Sequence, residues 1–126
     1  MKKNVGYVDG FVLTVPKKKL AAYRKMASMG GKMWKKYGAL DYKECIMDDP
    51  KPKWVTFTFP KMAKAKPGEV VFFSFITYKS RAHRDAVNAK VMKDPAMHPD
   101  SADSMKDMPF DMKRMAFGGF KVLVSG

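Results

Sequence analysis

What the chain has little of narrows it first. It has a single cysteine, Cys45, so no internal disulfide can form and nothing ties the chain to an oxidising compartment. No apolar run approaches the roughly 18 residues that a membrane-crossing helix needs. The basic start Met1-Lys2-Lys3-Asn4 leads into an apolar stretch that Asp9 and Gly10 interrupt, which is not the pattern of a secretory signal. A cytoplasmic protein without a membrane span is therefore expected. Histidine occurs only at His83 and His98, too far apart for a local metal-binding pair. Cys-x-x-Cys, His-x-x-x-His, Gly-x-Ser-x-Gly and phosphate-loop patterns are all missing, so metal, nucleotide and acyl-transfer chemistry have no recognisable motif. Neither a cofactor nor a metal is expected.

Acidic residues are scarce as well. Twelve Asp and Glu stand against 25 Lys and Arg, for a formal net charge of +13 and a pI near 9.9. A field of that size attracts polyanions and anionic surfaces whatever the fold. The cations are nearly all lysines, however, with arginine only at positions 24, 81, 84 and 114, and lysine lacks the planar fork that reads bases and phosphates bidentately. No zinc-finger, RRM or KH signature accompanies the charge. It predicts a solubilising surface and weak, non-specific polyanion binding, and argues against sequence-selective nucleic-acid recognition.

What is present suits one domain spanning residues 1–126. At 126 residues with 46% hydrophobic and 13% aromatic content, the chain can bury a core of its own, yet it is short enough to gain from association. Residues 6–15 alternate as a strand, with Tyr7, Asp9, Phe11, Leu13 and Val15 on one face and Val8, Val12 and Thr14 on the other. Both faces are largely apolar, which predicts helices over one and a second subunit over the other. Residues 17–37 carry apolar side chains three and four apart, the spacing of a helix. Gly30-Gly31 inside this pattern predicts a kink or a close backbone approach, and Gly38 a left-handed stop. Residues 40–47 read as a second strand, with Leu40, Tyr42, Glu44 and Ile46 on one face and a packed Cys45 on the other. Residues 51–68, rich in proline and lysine, read as a mobile connector with a short extended piece at 54–59.

Residues 69–78 form the most strongly apolar strand, expected to be central. Residues 80–92 are the clearest helix, with Ser80 as N-cap and Pro95 beyond its end. Ala82, Ala86 and Ala89 predict a small-residue stripe lying on the sheet, widened by Val87 and Val91. Arg81, Arg84, Asp85, Asn88 and Lys90 are then left pointing sideways or outward, with Arg81 and Asp85 at pairing distance along the helix. A short helix is expected at 101–106, an exposed His98 before it, and a last strand at 116–124, where Gly118-Gly119 predicts a bulge or a close approach. The order β-α-β-β-α-β is the split βαβ arrangement of α+β ferredoxin-like folds.

Residues 80–92, read with Val8-Asp9-Gly10-Phe11-Val12-Leu13, Gly38-Ala39-Leu40-Asp41-Tyr42-Lys43-Glu44-Cys45 and Met108-Pro109-Phe110-Asp111, resemble the bacterial domain-of-unknown-function family 1428 over essentially the whole chain. The resemblance implies a small dimeric α+β barrel of ferredoxin-like topology, an antiparallel sheet with helices on one face, and no established activity.

The candidate site residues are polar groups in apolar surroundings: Asp9, with Arg81, His83 and Arg84 as its possible partners, and Asp111 and Arg114 closing over the same end. An ionised carboxylate inside an apolar strand is too costly to leave unpaired. Two functional readings follow. In one, each subunit holds a small molecule between sheet and helices, as an enzyme similar to cofactor-free monooxygenases or isomerases of the dimeric barrel group, with His83 as proton acceptor and Tyr7, Trp34 and Phe73 as walls. In the other, a non-enzymatic homodimer binds anionic partners through its lysines. Whether Asp9 is structural or belongs to a site stays open.

Overall fold

The computed structural model describes residues 6–97 and 108–126. Strands β1 (Tyr7–Pro16), β2 (Asp41–Ile46), β3 (Glu69–Tyr78) and β4 (Ala116–Lys121) form one sheet in the order β2-β3-β1-β4. Every neighbouring pair is antiparallel. The two strands that are apolar on both sides, β1 and β3, are the central ones, as their composition requires. Helices α1 (Leu20–Lys36) and α3 (Arg81–Lys93) cover one face, and a short helix α2 (Phe59–Ala63) interrupts the connector. No helix among the described residues is long and apolar enough to cross a membrane.

Register decides which side chains meet the helices. Leu13 lies opposite Phe72, Phe11 opposite Ser74, and Ser74 in turn opposite Glu44. With a period of two, Tyr7, Asp9, Leu13 and Val15 share the helix side with Phe72, Ser74, Ile76 and Tyr78, and all eight are buried. The core there is continued by Tyr23 and Ala27 of α1 at one end and by Met33, Val87 and Val91 at the other. Burying each valine of α3 contributes about 1.5–3 kcal/mol. The opposite face stays open over much of its area: Phe73 is 46% exposed and Phe120 62%. At one end α2 packs there, with the Phe59 ring 6.4 Å from that of Phe73, and Val71 and Thr14 buried beside it.

The helix ends follow local chemistry. Ser80 Oγ accepts from the His83 backbone N–H at 3.1 Å and Asp94 closes α3 in an extended conformation before Pro95. Gly38, at φ +111°, provides the left-handed turn after α1.

Several expectations are corrected. Residues 54–59 are not extended: Thr58 caps α2 through its hydroxyl, Pro60 sits in the first turn, and Trp54 occupies a left-handed turn at φ 72°. Cap chemistry outweighs the β propensity of the aromatic and β-branched run. Strand β4 stops at Lys121, because β1 offers its last ladder partner at Tyr7. Ala82, Ala86 and Ala89 are exposed. The buried stripe of α3 runs through 84, 87, 88 and 91, one helical face, so Arg84 and Asn88 turn inward with the valines. Asp85 meets Arg84 Nε at 2.8 Å in place of Arg81. Cys45 is exposed, on the open face of an edge strand opposite Phe73. The helix expected at 101–106 and His98 lie outside the described residues.

Candidate functional site

Two polar clusters sit on the helix side of the sheet. The first surrounds Asp9, which is 2% exposed. Arg84 Nη1 donates to Asp9 Oδ1 at 3.1 Å and Nη2 to the Tyr7 hydroxyl at 3.4 Å, while the guanidinium lies 5.1 Å from the centre of the Tyr7 ring. Burial pushes the Asp9 carboxyl above its ordinary value, and the Arg84 charge and the Tyr78 hydroxyl offset only part of that rise. Arg84 Nε is near Asp85 but not in line for a hydrogen bond, so that contact is an attraction of charges at the rim. Gly119 lies opposite Asp9, and a Cβ there would overlap the Tyr7 hydroxyl. The glycine answers to a close approach, with the β1–β4 register unbroken by a bulge.

The neighbours of this cluster are occupied by one another. Trp34 Nε1 donates to Asn88 Oδ1 at 3.0 Å, and the Tyr78 hydroxyl reaches the same oxygen at 3.5 Å. His83 Nδ1 accepts from the Lys79 backbone N–H at 2.9 Å, and its ring stands edge-on to Tyr78. His83 is thus adjacent to Asp9 without touching it. None of the three principal clefts among the described residues is lined by Asp9, His83 or Arg84. The pair is built into the packing of α3 on the sheet.

The second cluster lines a cleft of about 700 Å³ between α1 and the β2 edge. Its walls are largely apolar, with Leu20, Ala27, Ile46 and Phe72 beside Tyr23 and Tyr42. Glu44 is its polar focus. Oε1 accepts from the Tyr23 hydroxyl at 2.7 Å and from Ser74 Oγ at 2.5 Å, and Oε2 accepts from the Tyr42 hydroxyl at 2.8 Å. Strand periodicity puts Tyr42 and Glu44 on the same face, register puts Ser74 opposite, and α1 delivers Tyr23. Burial first, and then Glu44, push both tyrosine hydroxyls far above their ordinary range, so they remain protonated donors. A smaller cavity of about 190 Å³ reaches inward from the same three residues to Phe11, Trp34 and Phe110. The arrangement presents a hydrogen-bond acceptor inside a largely apolar recess. Ser74, whose hydroxyl is paired with the Glu44 carboxylate, is itself only 4% exposed.

Of the residues singled out from the sequence, Tyr7, Asp9 and Arg84 come together, with Trp34 and His83 adjoining them. Phe73 is on the opposite face of the sheet and cannot be a wall of this site. Arg81 is exposed in the first turn of α3. Asp111 Oδ1 accepts from the Lys113 backbone N–H at 2.9 Å, capping a 3-10 turn. Arg114 forks onto both oxygens of Glu69 at 2.8 and 2.9 Å and donates to the Lys64 carbonyl. Glu69 faces Pro16, seven residues along β1 from Asp9, a distance of roughly 23 Å at strand rise. Asp111 and Arg114 therefore close the far end of the molecule and not the end that holds Asp9. Tyr23, Tyr42, Glu44 and Ser74 were missed. The available signal was an acid on the apolar face of residues 40–47, the same signal that marked Asp9.

The model of a family described as protein of unknown function (DUF1428) matches residues 6–112. The uncharacterized protein YbaA of Escherichia coli K12 is 44% identical over 118 residues, covering 94% of this chain and 97% of the relative, and YbaA of Shigella flexneri matches equally. Among solved structures, a dimeric ferredoxin-like protein from an uncultured marine organism superposes with a TM-score of 0.56 at 13% identity, over 97% of this chain and 99% of that one. The fold is thus the α+β ferredoxin-like one that strand order and register describe. By the extent of the family match and the identity to YbaA, the chain belongs to the protein family of unknown function DUF1428.

Proposed function

We propose that the protein is a homodimer whose subunits each bind a small molecule in the cleft between α1 and β2, with Glu44 as the polar anchor. The observation that carries the reading is the carboxylate itself: three hydroxyls from three separate elements converge on it in a recess that is otherwise mostly apolar. A well-formed apolar cleft with a few convergent polar groups is the usual form of a ligand site. The cleft lies on the helix side, so dimerisation through the open sheet face leaves it accessible. The half-exposed Phe73 and Phe120 support that mode of association, as do the exposed Trp54 and Phe57 of the connector leading into α2.

A fragment screen followed by backbone-amide NMR tests it. Ligands are expected to shift the amides of Gly31, Glu44, Ile46 and Phe72. Hits confined to the surroundings of Asp9 and His83, or no hits at all, would sink the proposal.

A further inference from the structure

Resting on the cleft reading above, we infer that the ligand is an organic cation: a protonated amine that docks on Glu44, carried by an apolar body. Charge pairing across the molecule points there. Among the described residues, every other Asp or Glu that is not exposed has a cation beside it. Asp9 has Arg84 at 3.1 Å, Asp41 has Lys43 at 2.8 Å, Glu69 has Arg114 at 2.8 Å and Asp94 has Lys36 at 3.4 Å. Glu44 is partly buried and takes part in none of these ion pairs; its partners are neutral hydroxyls. Cations are in no short supply in a chain with 25 Lys and Arg against 12 Asp and Glu. Among the described residues, the one sheltered carboxylate left without a cation is the one that faces the cleft of about 700 Å³.

The stereochemistry agrees. A carboxylate offers about four acceptor positions; Oε1 uses two and Oε2 one, so Oε2 keeps room for a further donor. The Tyr23, Tyr42 and Phe72 rings line the same cleft, and aromatic faces attract an ammonium group. A carboxylate ligand would instead meet Glu44 head-on. Arg24 also lines the cleft and the net charge of +13 repels cations at long range, so affinity is modest and the apolar body supplies much of it.

Three probes that share a phenyl ring and a two-carbon arm decide the matter in amide-detected NMR titrations of the full chain at neutral pH: 2-phenylethylamine, 2-phenylethanol and 3-phenylpropionate. The amine is expected to shift the Gly31, Glu44 and Ile46 amides with roughly tenfold higher affinity than the alcohol, as a charge-assisted hydrogen bond replaces a neutral one, and the acid is expected to bind most weakly. Equal affinities, or the acid binding best, would overturn the cation assignment while leaving the cleft as a ligand site. Failure of all three probes to shift those amides would overturn the cleft reading and this inference with it. Glu44→Gln is expected to erase the preference for the amine over the alcohol. Should that variant not fold, the probe series on the unaltered chain still decides.

Discussion

The hydroxyl of Tyr42 lies where a side chain at position 30 would begin: a Cβ on Gly30 would stand 2.9 Å from it. One residue on, a Cβ at Gly31 would be 3.1 Å from Cδ1 of the same ring. Two glycines inside α1 together cost roughly 2 kcal/mol relative to alanine. What they permit is the seat of Tyr42 against the helix, from which its hydroxyl reaches Glu44. Stability given up to position a polar cluster is the pattern of a functional site.

Coupling between the two positions follows. In the natural chain Gly30→Ala is expected to be neutral or to destabilise by up to about 1 kcal/mol, because the methyl group displaces the Tyr42 hydroxyl from Glu44 and so offsets the gain in helix propensity. In a Tyr42→Phe background the obstructing oxygen is gone, and the same change should stabilise by about 1 kcal/mol. Urea unfolding of the four proteins measures the difference. A full propensity gain in the natural chain would show that the glycine serves something other than Tyr42.

The Asp9–Arg84 pair is expected to be structural. Asp9→Ala leaves the Arg84 guanidinium, whose side chain is only 13% exposed, with no carboxylate but the off-line Asp85 and only the long Tyr7 contact beside it, and should cost about 3 kcal/mol. Asp9→Asn keeps an oxygen acceptor for Nη1 and should cost less. Neither change should alter the affinity of a ligand in the Glu44 cleft, which Asp9 does not line. Thermal unfolding and the amide titrations together check this; loss of cleft binding in a folded Asp9→Asn variant would refute it.

How much of this was legible can be judged residue by residue. Residues 69–78 declared themselves by a mostly apolar run, and Ser80 and Pro95 marked the limits of α3 by cap chemistry that acts within one turn. Asp9 was conspicuous because a lone acid in an apolar strand has to be paired. The buried face of α3 was misread because Arg84 and Asn88 occupy stripe positions with Val87 and Val91, and their polarity masked the period. Glu44 carried the same signal as Asp9, but two of its three partners come from 21 residues before it and 30 residues after it. Such a convergence depends on register and helix placement, which local pattern does not contain.

Acid sensitivity should originate at the far end of the sheet. The Arg114 fork holds the Glu69 carboxyl at about 2, well below its ordinary 4.5. A depressed folded-state value means that the pair's contribution is fully present above pH 4.5 and is lost as the pH falls toward 2. Asp9 has the opposite sign: its folded-state value is raised above 3.8, so its contribution is greatest below that pH and declines as the pH rises through the raised value. Glu69→Gln should therefore lower the melting temperature at neutral pH, converge with the natural chain near pH 2, and flatten the acid limb between. Melting curves across that range are the check, and parallel curves for the two proteins would contradict the assignment.

The open face of the sheet gives the last prediction. Phe73 and Phe120 remain 46% and 62% exposed on strands β3 and β4, and burying such a side chain contributes roughly 1.5–3 kcal/mol. A second copy offering the same surface buries both sets at once, which is how a two-fold interface forms from one patch. Sedimentation equilibrium at micromolar concentration should return a dimer. Phe73→Glu with Phe120→Glu places two charges in each half of that interface and should yield a monomer whose helix and strand content is unchanged by circular dichroism, since neither ring belongs to the buried clusters under the helices. A natural chain that sediments as a clean monomer, or a doubly charged variant that remains a dimer, would remove the open face as the site of association.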